Sequence, residues 1–246
     1  MLIQIAIVTQ SYFWPIYFQS VKNTNAKQSG IDLLPLIVSN SLAMLCAGSI
    51  TSRFGHYVPL MWFGPILLAL GGGLFQLMSP NSSFGQWVGF QILSGAGYGA
   101  CNQMPILAVQ VVLTKPDIPT ALVIIMFFQM LGGALAPSVG QNLFTDGLLR
   151  NLNKVPGVDG AAIVAAGATD FRTLVPAELM DAVVAAFNSA LRDVFWFAFA
   201  APALAWGISS LMEWRKLPDY SKQPEAEGNG VNDSGTPVKG IMKPER

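Results

Sequence analysis

The chain has 246 residues, 52% of them hydrophobic and only 11% charged, with a formal net charge of zero. A soluble domain typically carries about 25% charged residues, so this composition excludes an ordinary soluble globule, and the neutral balance offers nothing to a nucleic-acid partner. The charge deficit falls in blocks: no Asp, Glu, Lys or Arg occurs in residues 1–21, 57–114, 118–145 or 194–212. Each block is long enough to hold the roughly 20 apolar residues that carry a helix across a bilayer.

Taken in order, the pattern predicts an all-α integral membrane protein with six spans. The first covers residues 2–18 and is broken at Pro15. It is apolar from Met1, without the basic lead-in and cleavage site of a signal peptide, and so reads as truncated or as anchored by the N-terminus alone. The second covers 30–52 and the third 58–78. A turn, SPNSSFGQ, then leads to the fourth at 87–113. The turn TKPDIP precedes the fifth at 119–144, and the sixth covers 193–214.

Between the last two spans lies a polar stretch, residues 145–192. In its second half, Pro176 suits a helix start. Glu178 and Asp181 suit the positive end of a helix dipole, and Leu179, Val183, Phe187 and Leu191 share one face. This predicts an amphipathic helix, lying at the membrane surface or packed on the protein as an ordinary loop helix. Residues 215–246 are polar and rich in Gly and Pro, and read as a disordered tail.

Basic residues set the orientation. With six spans, Arg53 and Lys115 fall on the same side as Arg215, Lys216 and Lys222, against Lys22 and Lys27 on the other. The positive-inside rule places both ends in the cytoplasm. Asn81-Ser82-Ser83 is then an N-glycosylation acceptor facing outside, although Asn232-Asp233-Ser234 shows how common such triplets are.

Several features recur inside the spans. Gly95 and Gly99 have GxxxG spacing, and Gly132, Ala136 and Gly140 repeat small residues at four, a pattern that lets helices approach closely in lipid. Amides also recur in the spans, among them Gln10, Asn40, Gln91, Asn102, Gln103, Gln110, Gln129, Gln141 and Asn142. Hydrocarbon cannot satisfy them, so each bonds another helix or lines a polar cavity. As a set they suggest a solute pathway.

Cys46 and Cys101 read as buried small residues, with no spacing for a metal or disulfide. No span holds a deep acid, no catalytic set is visible, and no metal or cofactor is expected. The stretch GSITSRFGHYVP forms a tight cytoplasmic connection. There Gly48 and Gly55 are expected to allow close helix approach, and Arg53 to meet the carbonyl end of the second span.

The pattern Gly48-x-x-x-Ser52-Arg53-x-Gly55 resembles the loop between the second and third helices of each half in the major facilitator superfamily. Ser52 stands where the stronger copy has an acid, and His56-Tyr57 where it has a basic pair. The segments YFWPIYFQSVKNTNAKQSGIDLLPL, GFQILSGAGYGACNQMPILAVQ, FFQMLGGALAPSVGQNLF, PGVDGAAIVAAGATDFRTLVPAEL and AFNSALRDVFWFA resemble the fungal fourteen-spanner drug:proton antiporters, a branch that includes mycotoxin and multidrug exporters. The likeness covers residues 10–214 and matches only the last six spans of that family.

The resemblance implies a C-terminal half, residues 1–214 with 145–192 outside, followed by a cytoplasmic tail. It implies proton-driven efflux of hydrophobic or amphipathic small molecules such as toxins or drugs across the plasma membrane, with a missing N-terminal half or a second copy of the chain as partner. Gln10, Asn40, Asn102, Gln103, Gln129 and Asn142 are the expected pathway wall. The rival expectation is a non-transporting truncated membrane protein or an interaction subunit.

Overall fold

The computed structural model describes residues 1–55 and 58–209; the predicted tail, His56 and Tyr57 lie outside the described residues. Among them every regular element is helical: α1 Leu2–Ser20, α2 Ala26–Asp32, α3 Leu34–Phe54, α4 Val58–Leu74, α5 Phe84–Cys101, α6 Met104–Val112, α7 Ile118–Leu152, α8 Gly160–Leu174 and α9 Met180–Ser209, with short 3-10 turns at Phe75–Leu77 and Ala177–Leu179.

The predicted spans are recognisable, with three corrections. The second and fourth are divided. Pro35 cannot donate to the carbonyl four residues back, and its ring crowds that carbonyl, so α2 stops at Asp32 and α3 begins at Leu34. Pro105 does the same at Asn102 and Gln103, separating α5 from α6.

The fifth span does not end at Phe144. Phe144, Leu148 and Leu152 continue one buried face while Asp146 and Arg150 point outward, so α7 runs on to Leu152. The predicted surface helix is also no separate element, because it forms the beginning of α9. Its apolar face packs inside the protein, with Val183, Phe187 and Leu191 at most 1% exposed.

Four helical stretches are long and apolar enough to cross a membrane: 26–53, 58–77, 118–152 and 177–209. The six-span count is thus met only in part. α1 and α5 occupy predicted places, but amides in α1 and glycines in α5 lower their hydropathy. Both are largely enclosed by neighbouring helices, so they need less apolar surface than a helix standing in lipid.

α5 lies between α3 and α4, and α4 in turn packs on α9, which holds α1 and α7. Residues 95, 97 and 99 alternate across α5 because two residues advance a helix by about 200°. A Cβ at Gly95 or Gly99 would strike the α3 backbone, and one at Gly97 would strike α4. The small-residue stripe of α7 works likewise: a Cβ at Gly140 would reach the Phe13 ring at 2.6 Å, and one at Gly132 the Met1 carbonyl at 2.7 Å.

One end of the bundle is knitted by aromatic rings and side-chain hydrogen bonds. Phe75 stacks on Phe195 at 3.6 Å, and Trp14 meets both edge-on. Around them Tyr17 donates to the Ser79 carbonyl, Asn188 to Met78, and Arg172 to Ser20. The other end brings together the first residues of α1, α4 and α6 and the last of α9.

Candidate functional site

α7 is attached to the bundle mainly along one narrow stripe. Gly132, Ala136, Gly140 and Phe144 are buried, whereas most of its remaining circumference is open. Val123, Phe127 and Met130 are 66%, 61% and 76% exposed. Further along, the open face turns polar: Ser138, Gln141 and Asn142 are exposed and Thr145 half-buried. Gln141 donates to Thr145 Oγ1 at 3.3 Å, and Asn142 to the Ser138 carbonyl at 2.9 Å. Gln129, half-buried, lies on the attached side of the same helix, in line with Gly132, Ala136 and Gly140.

The other predicted wall residues do not join this face. Gln10 is fully buried, and a Cβ on Gly72 of α4 would come within 3.2 Å of its Nε2. Neither end of its amide has a hydrogen-bond partner, and the buried hydroxyls of Thr9 and Ser94 share that condition. Such a group costs about 1–3 kcal/mol when left unpaired. Asn40 meets α5 through its backbone at Gly95 and Gly99. Asn102 and Gln103, both half-buried, form the break between α5 and α6, and Asn102 Oδ1 is buried without a partner. The six residues therefore fall into several places rather than one.

In the tight connection, Ser52 donates to the Ser49 carbonyl at 2.9 Å and Arg53 occupies the exposed last turn of α3. The glycines do not serve close approach, since a Cβ at Gly48 or Gly55 would meet nothing within 4 Å. Gly55 instead ends α3 with φ +67°, a left-handed cap that favours glycine. At the opposite end Asn81 is exposed in a constrained turn. Ser82 Oγ accepts from the Ser79 amide at 2.8 Å, and Lys22 Nζ donates to the Pro80 and Ser82 carbonyls at 2.8 and 2.7 Å. Partial burial lowers the Lys22 pKa from its ordinary value.

No protein-family profile matches the chain. Individual proteins do. It is 72% identical over 232 residues to the MFS-type transporter ltbE of Aspergillus luteorubrus, covering 93% of this chain and 42% of that protein. It is 40% identical over 208 residues to the efflux pump aflT of Aspergillus parasiticus, covering 84% of this chain and 40% of the pump. With the MFS-type efflux pump MFS1 of Trichophyton rubrum it shares 37% over 216 residues, 87% of this chain and 40% of the pump.

The chain belongs to the major facilitator superfamily. It spans about two fifths of the length of the curated relatives it matches. Amides inside membrane helices can fasten one helix to another. Gln91, fully buried, is a fastener: its Nε2 donates to the Asp32 carbonyl at 2.9 Å, and its Oε1 accepts from the Leu36 amide at 3.3 Å. It bridges the very gap that Pro35 opens. Tyr98 donates to Gln4 Oε1 at 2.8 Å and ties α5 to α1.

These two contacts were not visible in the sequence, because their partners lie 59 and 94 residues away. The expectation for Cys46 also changes. It is exposed on α3, while Cys101 is buried, and both are free.

Proposed function

We infer that the chain is one wall of a transporter that exports hydrophobic or amphipathic small molecules, driven by proton antiport in the full-length protein. The observation that carries this reading is the open face of α7. It mixes amides and hydroxyls with large apolar groups on a helix whose attachment uses only a small-residue stripe. Polar side chains of that kind are unfavourable against hydrocarbon, and they suit contact with a second helical unit or a water-filled pathway. Relatives named efflux pumps support the outward direction.

In this reading α1, α3, α4, α5, α7 and α9 all cross the membrane, both ends face the cytoplasm, and the region around α8 faces outside. The chain supplies the C-terminal six-helix half, and substrate passes between it and a matching half, as two parallel repeats enclose a central site. Gln129 and Asn142 contribute to the wall. Asn40, Asn102 and Gln103 adjust it from the α3–α5 side, and Gln10 stays inside the half. The membrane is the plasma membrane.

The test is a chimera in which this chain replaces the corresponding stretch of the ltbE transporter. In cells loaded with a hydrophobic fluorescent dye, the chimera is expected to restore export. Asn142→Leu and Gln129→Leu together are expected to lower export at least fivefold at unchanged protein level. Export untouched by the pair would remove α7 from the pathway.

A further inference from the structure

α8 forms an arch. At its start Asp159 caps the helix, accepting from the Ala161 and Ala162 amides at 3.0 and 3.2 Å. At its end Phe171 is fully buried and stacks on Phe187 at 4.5 Å, while Arg172 donates to the Ser20 carbonyl at 2.8 Å. Between these anchors Gly167 adopts φ +77° and ψ −170°, which interrupts the helix. A Cβ there would meet nothing within 4 Å, so the interruption is not a response to crowding; its backbone conformation is one that glycine alone adopts readily.

Beneath the arch is a cavity of about 200 Å³ between α1, α7, α8 and α9. Phe144, Leu148 and Phe187 form an apolar floor, and Gly167 and Ala168 lie in the roof. Tyr12, Gln141 and Thr145 bring hydroxyl and amide groups to it. None of the lining residues carries a charge. Fixed apolar walls with a few polar groups are the makings of a small-molecule site, and the volume suits about one or two fused rings. A loosely covered packing defect would not be expected to have its roof fastened at both ends or to gather three polar side chains.

We propose that the cavity under α8 is a second binding site, adjoining the polar end of the open face of α7 and sharing Gln141 and Thr145 with it, for an uncharged aromatic molecule bearing a hydroxyl or carbonyl group. The rings of Phe144 and Phe187 receive the flat face of the ligand by offset or edge contacts. Gln141 and Thr145 exchange hydrogen bonds with its polar group. A charged ligand is rejected, because it would lose hydration without a counter-charge. The site does not rest on the direction or energy source of transport, and its test involves no transport.

The test uses the full chain in lipid nanodiscs and equilibrium dialysis of tritiated 1-naphthol, with empty nanodiscs giving the lipid background. Saturable binding of one naphthol per chain is expected, and 1-naphthalenesulfonate is expected not to compete. Ala168→Phe, which fills the cavity from its roof, should weaken binding at least tenfold. The Gln141→Leu, Thr145→Val double variant changes only α7 side chains and keeps the proposal testable should Ala168→Phe misfold; it should weaken binding about tenfold, the worth of a lost hydrogen bond or two. Circular dichroism and thermal melting verify each fold. Absence of saturable binding to a folded chain, equal competition by the sulfonate, or undiminished binding by the folded variants would overturn the proposal.

Discussion

Gln10 and Gln91 are both fully buried amides in helices, but only Gln91 uses its hydrogen-bonding capacity. Gln91→Leu leaves the Asp32 carbonyl without its partner and is expected to destabilise the chain by about 1–3 kcal/mol. Gln10→Leu removes an amide that has no partner to lose, so its expected effect is near zero or stabilising. Thermal unfolding of both variants in one detergent checks the contrast; equal losses would contradict it. The sequence marked both residues as polar groups in apolar helices. It could not assign their duties, because the carbonyl that Gln91 holds is freed by a proline on another helix. Arg53 belongs to this scale too. In the ltbE chimera, Arg53→Ala is expected to lower export more than protein level, and equal loss of both would make the residue purely structural.

Helices that must approach closely explain most of the glycine in this chain. Leucine at Gly95 would have to displace the α3 backbone, whereas leucine at Gly89 enters open space. Gly95→Leu is therefore expected to abolish the folded monomer peak in size-exclusion chromatography, and Gly89→Leu to leave it unchanged; similar profiles would mean that α3 and α5 do not pack as described. The presence and order of these helices were legible from the uncharged runs alone. Their breaks were not, because proline gives an ambiguous signal in such segments. Pro15, Pro65, Pro137 and Pro202 lie inside helices, while Pro35 and Pro105 sit just past breaks. Neighbouring helices and side chains can satisfy the backbone groups a proline frees, so the outcome depends on tertiary surroundings. The lengths of α7 and α9 were hidden for a related reason. Asp146, Arg150 and Arg192 made 145–192 read as a polar stretch between spans with an amphipathic helix in its second half, yet they occupy outward faces of helices whose other faces are packed.

At the scale of the molecule, the alternating helices place the turn at Asn81 and the connection at Lys115 at opposite ends of the bundle. With Asn81 replaced by cysteine, an impermeant thiol reagent is expected to label intact cells, and with Lys115 replaced it is expected to label only after permeabilisation; each is made in a background with Cys46 and Cys101 replaced. The reverse pattern would invert the topology. The proposed wall is not assembled by residue type alone, because the six amides chosen that way are spread over several places. What unites the reading is that the open face of α7 needs a facing unit before it encloses a pathway. The direct measurement is dye movement in vesicles with an imposed pH gradient, comparing the chain alone with the chain joined to the remaining part of the ltbE transporter. The expected result is protonophore-sensitive accumulation by the joined protein and none by the chain alone. Protonophore-sensitive accumulation by the chain alone would contradict the single-wall account.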